Sequence, residues 1–126
     1  MGTRSHVGIE HADGTVEYIY THWDGDVESL GITLMGFYYT PEKLQALINL
    51  GDCSTVGPSP ELCESYHRDK GEDWDDVKPA VVDSRAEFLA DSEEYMYMMT
   101  VDGHLLVRGG GHNCLLAEAT DEIVNE

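Results

Sequence analysis

Basic side chains are scarce in this sequence: 7 Lys and Arg stand against 25 Asp and Glu in 126 residues, a formal net charge of -18. A chain with so little positive charge repels phosphate, which excludes direct binding to nucleic acid. Cysteine is sparse too, with only Cys53, Cys63 and Cys114. None forms a C-x-x-C pair, which argues against a disulfide framework and structural zinc and for free thiols in a reducing compartment. Long apolar runs are missing: nothing approaches the ~20 residues that cross a bilayer. The N-terminal MGTRSHVGIEH is too short and too polar for a signal peptide, and His6 stands where a myristoylation signal needs Ser or Thr. A soluble, cytoplasmic protein is the expectation, with no membrane partner.

What is present fits a single domain over residues 1–126, with 41% hydrophobic residues. A chain of this length buries about two-thirds of its unfolded surface in one core. The order of elements reads from local patterns. His6 to Glu10 and Val16 to Tyr20 are strands joined at Ala12-Asp13-Gly14, and Glu94 to Val101 and His104 to Arg108 are strands joined at Asp102-Gly103. Between them, Leu30, Leu34 and Tyr38 recur at helical spacing, Thr40-Pro41 opens a helix that runs to Leu50, and Ser84 caps a short helix to Ala90. Residues 52–65 carry Gly57, Pro58 and Pro60 and read as a loop. Residues 115–126 read as a weak helix or a partly ordered acidic tail. The order hairpin, helices, hairpin predicts an α+β fold: an antiparallel sheet of about four strands, with two to three helices packed on one face.

Two constellations carry most of the chemistry. In Thr21-His22-Trp23-Asp24-Gly25-Asp26, the imidazole of His22 could act as a base oriented by Asp24 or Asp26. Each residue there also has a structural use, with Trp23 as a buried anchor, Asp24-Gly25 as a turn and Asp26 as a helix cap. The second is Tyr66-His67-Arg68-Asp69-Lys70-Gly71-Glu72, where Arg68 and Lys70, with Arg4, could cradle an anion, or could simply relieve repulsion among Asp69, Glu72, Asp73, Asp75 and Asp76. No calcium-loop or zinc spacing is present, and Gly109-Gly110-Gly111-His112 lacks the Lys-Ser/Thr of a phosphate loop. No metal and no cofactor are expected.

Several of these segments, in order, resemble small proteins encoded by tailed bacteriophages. They are Met1-Gly2-Thr3-Arg4-Ser5, His22-Trp23-Asp24-Gly25, Thr40-Pro41-Glu42-Lys43, Leu50-Gly51-Asp52, Arg68-Asp69-Lys70-Gly71-Glu72 and Glu94-Tyr95-Met96-Tyr97. In that group HWDG is usually followed by Tyr; this chain has Asp26 instead, so no Tyr-dependent role of the loop carries over. The resemblance implies a phage source and an infected bacterial cytoplasm rather than a mechanism.

A small acidic phage accessory protein of this kind implies a host target, such as a nuclease, a restriction or CRISPR complex, or the transcription machinery. Duplex DNA carries one charge per about 1.7 Å of axis, so 18 charges match about 30 Å of duplex. The first expectation is therefore an inhibitor of a host nucleic-acid-binding or defence protein that acts, without catalysis, through a DNA-like acidic surface richest at Asp69, Glu72, Asp73, Asp75 and Asp76. Two alternatives are a small-ligand or nucleotide-processing protein using His22 and Asp24 with an anion site of Arg4, Arg68 and Lys70, and a virion or assembly component.

Overall fold

Two hairpins do form, but they are joined side by side into a larger mixed sheet. The computed structural model describes residues 2–90 and 93–124. β1 (Ser5–Glu10) and β2 (Val16–Thr21) pair antiparallel through a turn in which Gly14 adopts a left-handed conformation. A π-helical turn (Val27–Gly31) runs into α1 (Ile32–Phe37), followed by α2 (Pro41–Ile48). Thr40 caps α2, its hydroxyl accepting the Lys43 N–H at 3.2 Å, and Leu44, Leu47 and Ile48 face inward as their spacing requires.

The chain then makes β3 (Cys53–Thr55), a 3-10 turn (Pro60–Leu62), β4 (Glu64–Ser65), α3 (Trp74–Val77) and β5 (Ala80–Val82). α4 (Arg85–Leu89) is capped by Ser84, whose hydroxyl accepts the Glu87 N–H at 3.1 Å. β6 (Tyr95–Met99) and β7 (Leu105–Gly109) form the second hairpin, and β8 (His112–Leu115) leads directly into α5 (Leu116–Val124).

The strand order is β4-β3-β2-β1-β6-β7-β8, with β5 pairing on β2. β1 lies parallel to β6 and β2 parallel to β3, while the other pairs are antiparallel. This corrects the expected four-stranded antiparallel sheet: among the described residues there are 8 strands in one mixed sheet. The reason is physical. β3, β4, β5 and β8 are 2 to 4 residues long, too short for an alternating pattern to declare itself, and the β1–β6 pairing joins segments with no local signal between them. Helices also lie on both faces rather than one. α1, α2 and α5 cover Val7, Ile9, Ile19, Tyr97, Met99 and Val107, whereas α4 presses Phe88 onto Val16, Met96 and Met98 on the opposite side.

Candidate functional site

The HWDG segment is a corner where three stretches of chain lock together. His22 and Trp23 extend the parallel pairing of β2, their N–H groups donating to the carbonyls of Cys53 at 3.2 Å and Ser54 at 3.0 Å. The chain then reverses at Asp24, the one non-glycine among the described residues with a positive φ, at 56°. Aspartate is one of the few side chains that accept this conformation readily.

Gly25 is buried against the N-terminal segment. Its N–H donates to the Thr3 carbonyl at 2.9 Å, its own carbonyl accepts the Tyr97 hydroxyl at 2.7 Å, and an added Cβ would meet the Thr3 oxygen at 2.7 Å. The Ser5 and Thr21 hydroxyls are hydrogen-bonded beside it. The MGTRS, HWDG and EYMY segments are thus one junction. Trp23 is 43% exposed rather than the buried anchor expected, and Asp26 stands at the head of the π-helical turn without a side-chain cap.

His22 points along the sheet toward Tyr20. Its Nδ1 lies 2.6 Å from the Tyr20 hydroxyl, and its ring meets Trp23 edge-on at 4.7 Å. The carboxylate of Asp24 is exposed, and the imidazole is oriented by a phenol instead. Strand alternation explains the arrangement: Tyr18, Tyr20 and His22 project from one side of β2, and His6 of β1 stands opposite Tyr20 in the register. The His6 ring lies 4.8 Å from Tyr18 and 6.2 Å from Tyr20.

These rings form the wall of a cleft of about 390 Å3, larger than the hollows beside Trp23 (about 190 Å3) and Phe37 (about 270 Å3). Asp52, Asp75, Asp76 and Lys78 also line it. Asp52 is there for a structural reason. The outer edge of β2 pairs with β5 at Val16 to Tyr18 and with β3 at Thr21, which leaves the Tyr20 N–H in the gap between them. Asp52 Oδ1 accepts that N–H at 2.8 Å, standing in for a missing strand. Its main chain accepts the Tyr66 N–H at 3.1 Å and donates to Val77 at 2.7 Å, tying β4 and α3 to the same point.

Burial raises the Asp52 carboxyl to about 6; the Tyr20 N–H works against the shift and the charge of Glu72 adds to it. The Tyr20 phenol is raised above its ordinary value, chiefly by burial, with the charges of Arg4, Glu93, Tyr66 and Asp52 all acting on it. Glu93 Oε2 is buried and has no hydrogen-bond partner among the described residues. Such a gathering of half-buried titratable groups in a concavity is a mark of functional surfaces.

The acidic segment beside the cleft divides into engaged and open carboxylates. Asp69 accepts the Ser65 N–H at 2.8 Å and grips Arg68, which holds its carboxyl below the ordinary range. Asp75 lies 3.5 Å from Lys78. Glu72, Asp73 and Asp76 are exposed, and Asp75 and Asp76 form the cleft rim. Of the cations weighed for an anion site, Arg68 spends its guanidinium on Asp69 and on the carbonyls of Pro60 (2.9 Å) and Cys63 (2.8 Å). Lys70 pairs with Glu64 at 3.2 Å over the Tyr66 ring. The structure therefore brings His22 to Tyr20, on which the charge of Arg4 also acts, and commits Arg68 and Lys70 to neighbouring groups.

Cys53 and Cys63 are buried together beneath Tyr38, with the Cys63 sulfur 3.5 Å from the Tyr38 hydroxyl and accepting the Gly57 N–H at 3.3 Å. Hydrogen bonding from Cys53 lowers the Cys63 thiol and raises its donor. The pair is sealed from solvent and serves the core. Among the described residues no group of three or more His, Cys, Asp and Glu is placed to hold a metal ion, and no helix is long and apolar enough to cross a membrane.

The sequence reading singled out His22 but not its partners. Tyr18 and Tyr20 carried a usable signal, since they fall two and four residues before His22 on an expected strand. Asp52 carried none, because its role depends on a gap between two strands that lie far from it in sequence. Compared with protein-family models, curated proteins and solved structures, the chain matches none.

Proposed function

We propose that this chain is a phage accessory protein that binds and inhibits a host nucleic-acid-binding or defence protein through its acidic surface, without catalysis of its own. The observation that carries the reading is the exposed carboxylate edge at Glu72, Asp73, Asp75 and Asp76, adjoining a cleft whose deepest charged group, Asp52, is also acidic. Among the described residues, Lys78 is the only lysine or arginine lining that cleft, and it is already beside Asp75. A partner that meets this edge must bring positive charge, which is what a nucleic-acid-binding groove offers.

The test is capture of a partner from host lysate by the tagged protein, at about 50 mM and about 500 mM salt, with duplex DNA as competitor. A nucleic-acid-binding protein should be captured at low salt, displaced by DNA, and lost with the triple change Glu72→Gln/Asp73→Asn/Asp76→Asn. Capture that ignores salt, DNA and the triple change overturns the proposal.

A further inference from the structure

The cleft between β2 and α3 has a composition that selects its guest. Its wall is aromatic, made by His6, Tyr18 and Tyr20, and its inner charge is the Asp52 carboxylate, of which Oδ1 is taken by the Tyr20 N–H. Its rim adds Asp75 and Asp76. An anion would be repelled by all three carboxylates, and an aliphatic guest would leave Asp52 desolvated and unpaired. A hydrated ammonium would answer the charge but not the ring faces. A guanidinium answers both: it is planar, weakly hydrated, stacks on aromatic rings and offers parallel N–H donors to a carboxylate.

We infer that this cleft is an arginine-binding pocket, in which a partner's guanidinium lies along Tyr18 and Tyr20 and donates to Asp52, with Asp75 and Asp76 drawing it in from the rim. The inference rests on the proposed function for the source of the arginine, a basic partner protein, and on the cleft itself for the chemistry. A volume of about 390 Å3 is within the range of small-ligand sites, roughly 300–1,000 Å3, and suits one long side chain entering from solvent. Burial holds the Asp52 carboxyl near 6, as expected of an acid short of a counter-charge, and a bound guanidinium supplies one.

The experiment is a two-dimensional amide NMR titration of the purified chain with N-acetylarginine methylamide, and separately with the lysine and citrulline analogues. The arginine probe should shift the amides of Tyr18, Tyr20 and Asp52, citrulline should not, and lysine should bind more weakly. Asp52→Asn should weaken arginine binding at least about tenfold, the loss of a charge-assisted pair. Asp75→Asn/Asp76→Asn, at exposed positions that leave the fold intact, should weaken it about twofold to threefold; Asp13→Asn in the distant β1–β2 turn should change nothing.

Equal shifts from citrulline or lysine overturn the inference, as does arginine binding indifferent to both the Asp52 and the rim variants. The titration needs no host protein, so the two proposals fail separately. Salt-sensitive capture of a partner with no arginine response removes the pocket and leaves the acidic surface. A clear arginine response with no captured partner does the reverse.

Discussion

On one face of the sheet Val7, Ile9, Ile19, Tyr97 and Met99 disappear beneath α1, α2 and α5; on the other, one position along the same strands, His6, Tyr18 and Tyr20 stay only half-buried. Phe88 and Leu89 of α4 come down on part of that second face, over Val16, Met96 and Met98, and the rest is left as the cleft. Alternation makes the difference available at no cost in backbone geometry, because neighbouring side chains already point opposite ways. The covered face holds the fold through apolar burial. The open face carries a buried-edge carboxylate and a phenol–imidazole pair, groups that packing alone would not select.

The largest effect expected from breaking this division is on the covered face. Leu34 is fully buried among α2, α5 and the sheet, and Leu34→Ala should cost about 3 kcal/mol in denaturant unfolding through lost burial and the cavity left behind. A loss under about 1 kcal/mol would mean that this face is not the main source of stability.

On the open face the sign reverses. The folded state holds the Asp52 proton more tightly than the unfolded chain does, so the native protein loses stability as pH rises from the ordinary Asp value toward 6 and beyond. Asn keeps an acceptor for the Tyr20 N–H and has no charge to desolvate. Asp52→Asn should therefore match the native protein below about pH 4 and exceed it by about 1 kcal/mol at pH 7 in thermal melts, a figure discounted for the partial exposure of the carboxylate. A destabilised variant at pH 7 would make Asp52 a structural acid only.

The smallest effect lies at the rim: Glu72→Gln/Asp73→Asn/Asp76→Asn should change unfolding stability by less than about 0.5 kcal/mol, although it abolishes partner capture. A larger loss would show that the acidic edge is part of the fold and not merely displayed by it.

The sequence showed this division only in part. Both Asp-Gly hairpins, the Thr40-Pro41 start of α2 and the Ser84 cap of α4 were legible, because each depends on residues within four positions of one another. The parallel partners of β1 and β2 were not. Which strand lies beside Ser5–Glu10 is decided by competition among apolar surfaces distant in sequence, and Tyr95–Met99 wins it without any local mark. The same limit applies to the cleft. His22 drew attention as a residue beside Asp24, whereas its hydrogen-bond partner is Tyr20. Asp52 read as the first residue of a loop after the helix and proved to fill a gap in a strand edge.

The place of β1 has a consequence in time. It is the first strand in the chain, yet it lies between β2 and β6, and its Ser5 to Ile9 register is completed only by Tyr95 to Met99. A chain emerging from a ribosome can close the first hairpin early, but the middle of its sheet waits for a strand about 90 residues further along. Until then β1 presents an unsatisfied edge and an uncovered apolar side, the circumstance in which nascent chains associate with one another. Pairing across such a sequence separation is also slow to nucleate, so the sheet should commit to its native form late, in one step that joins β1 to β6.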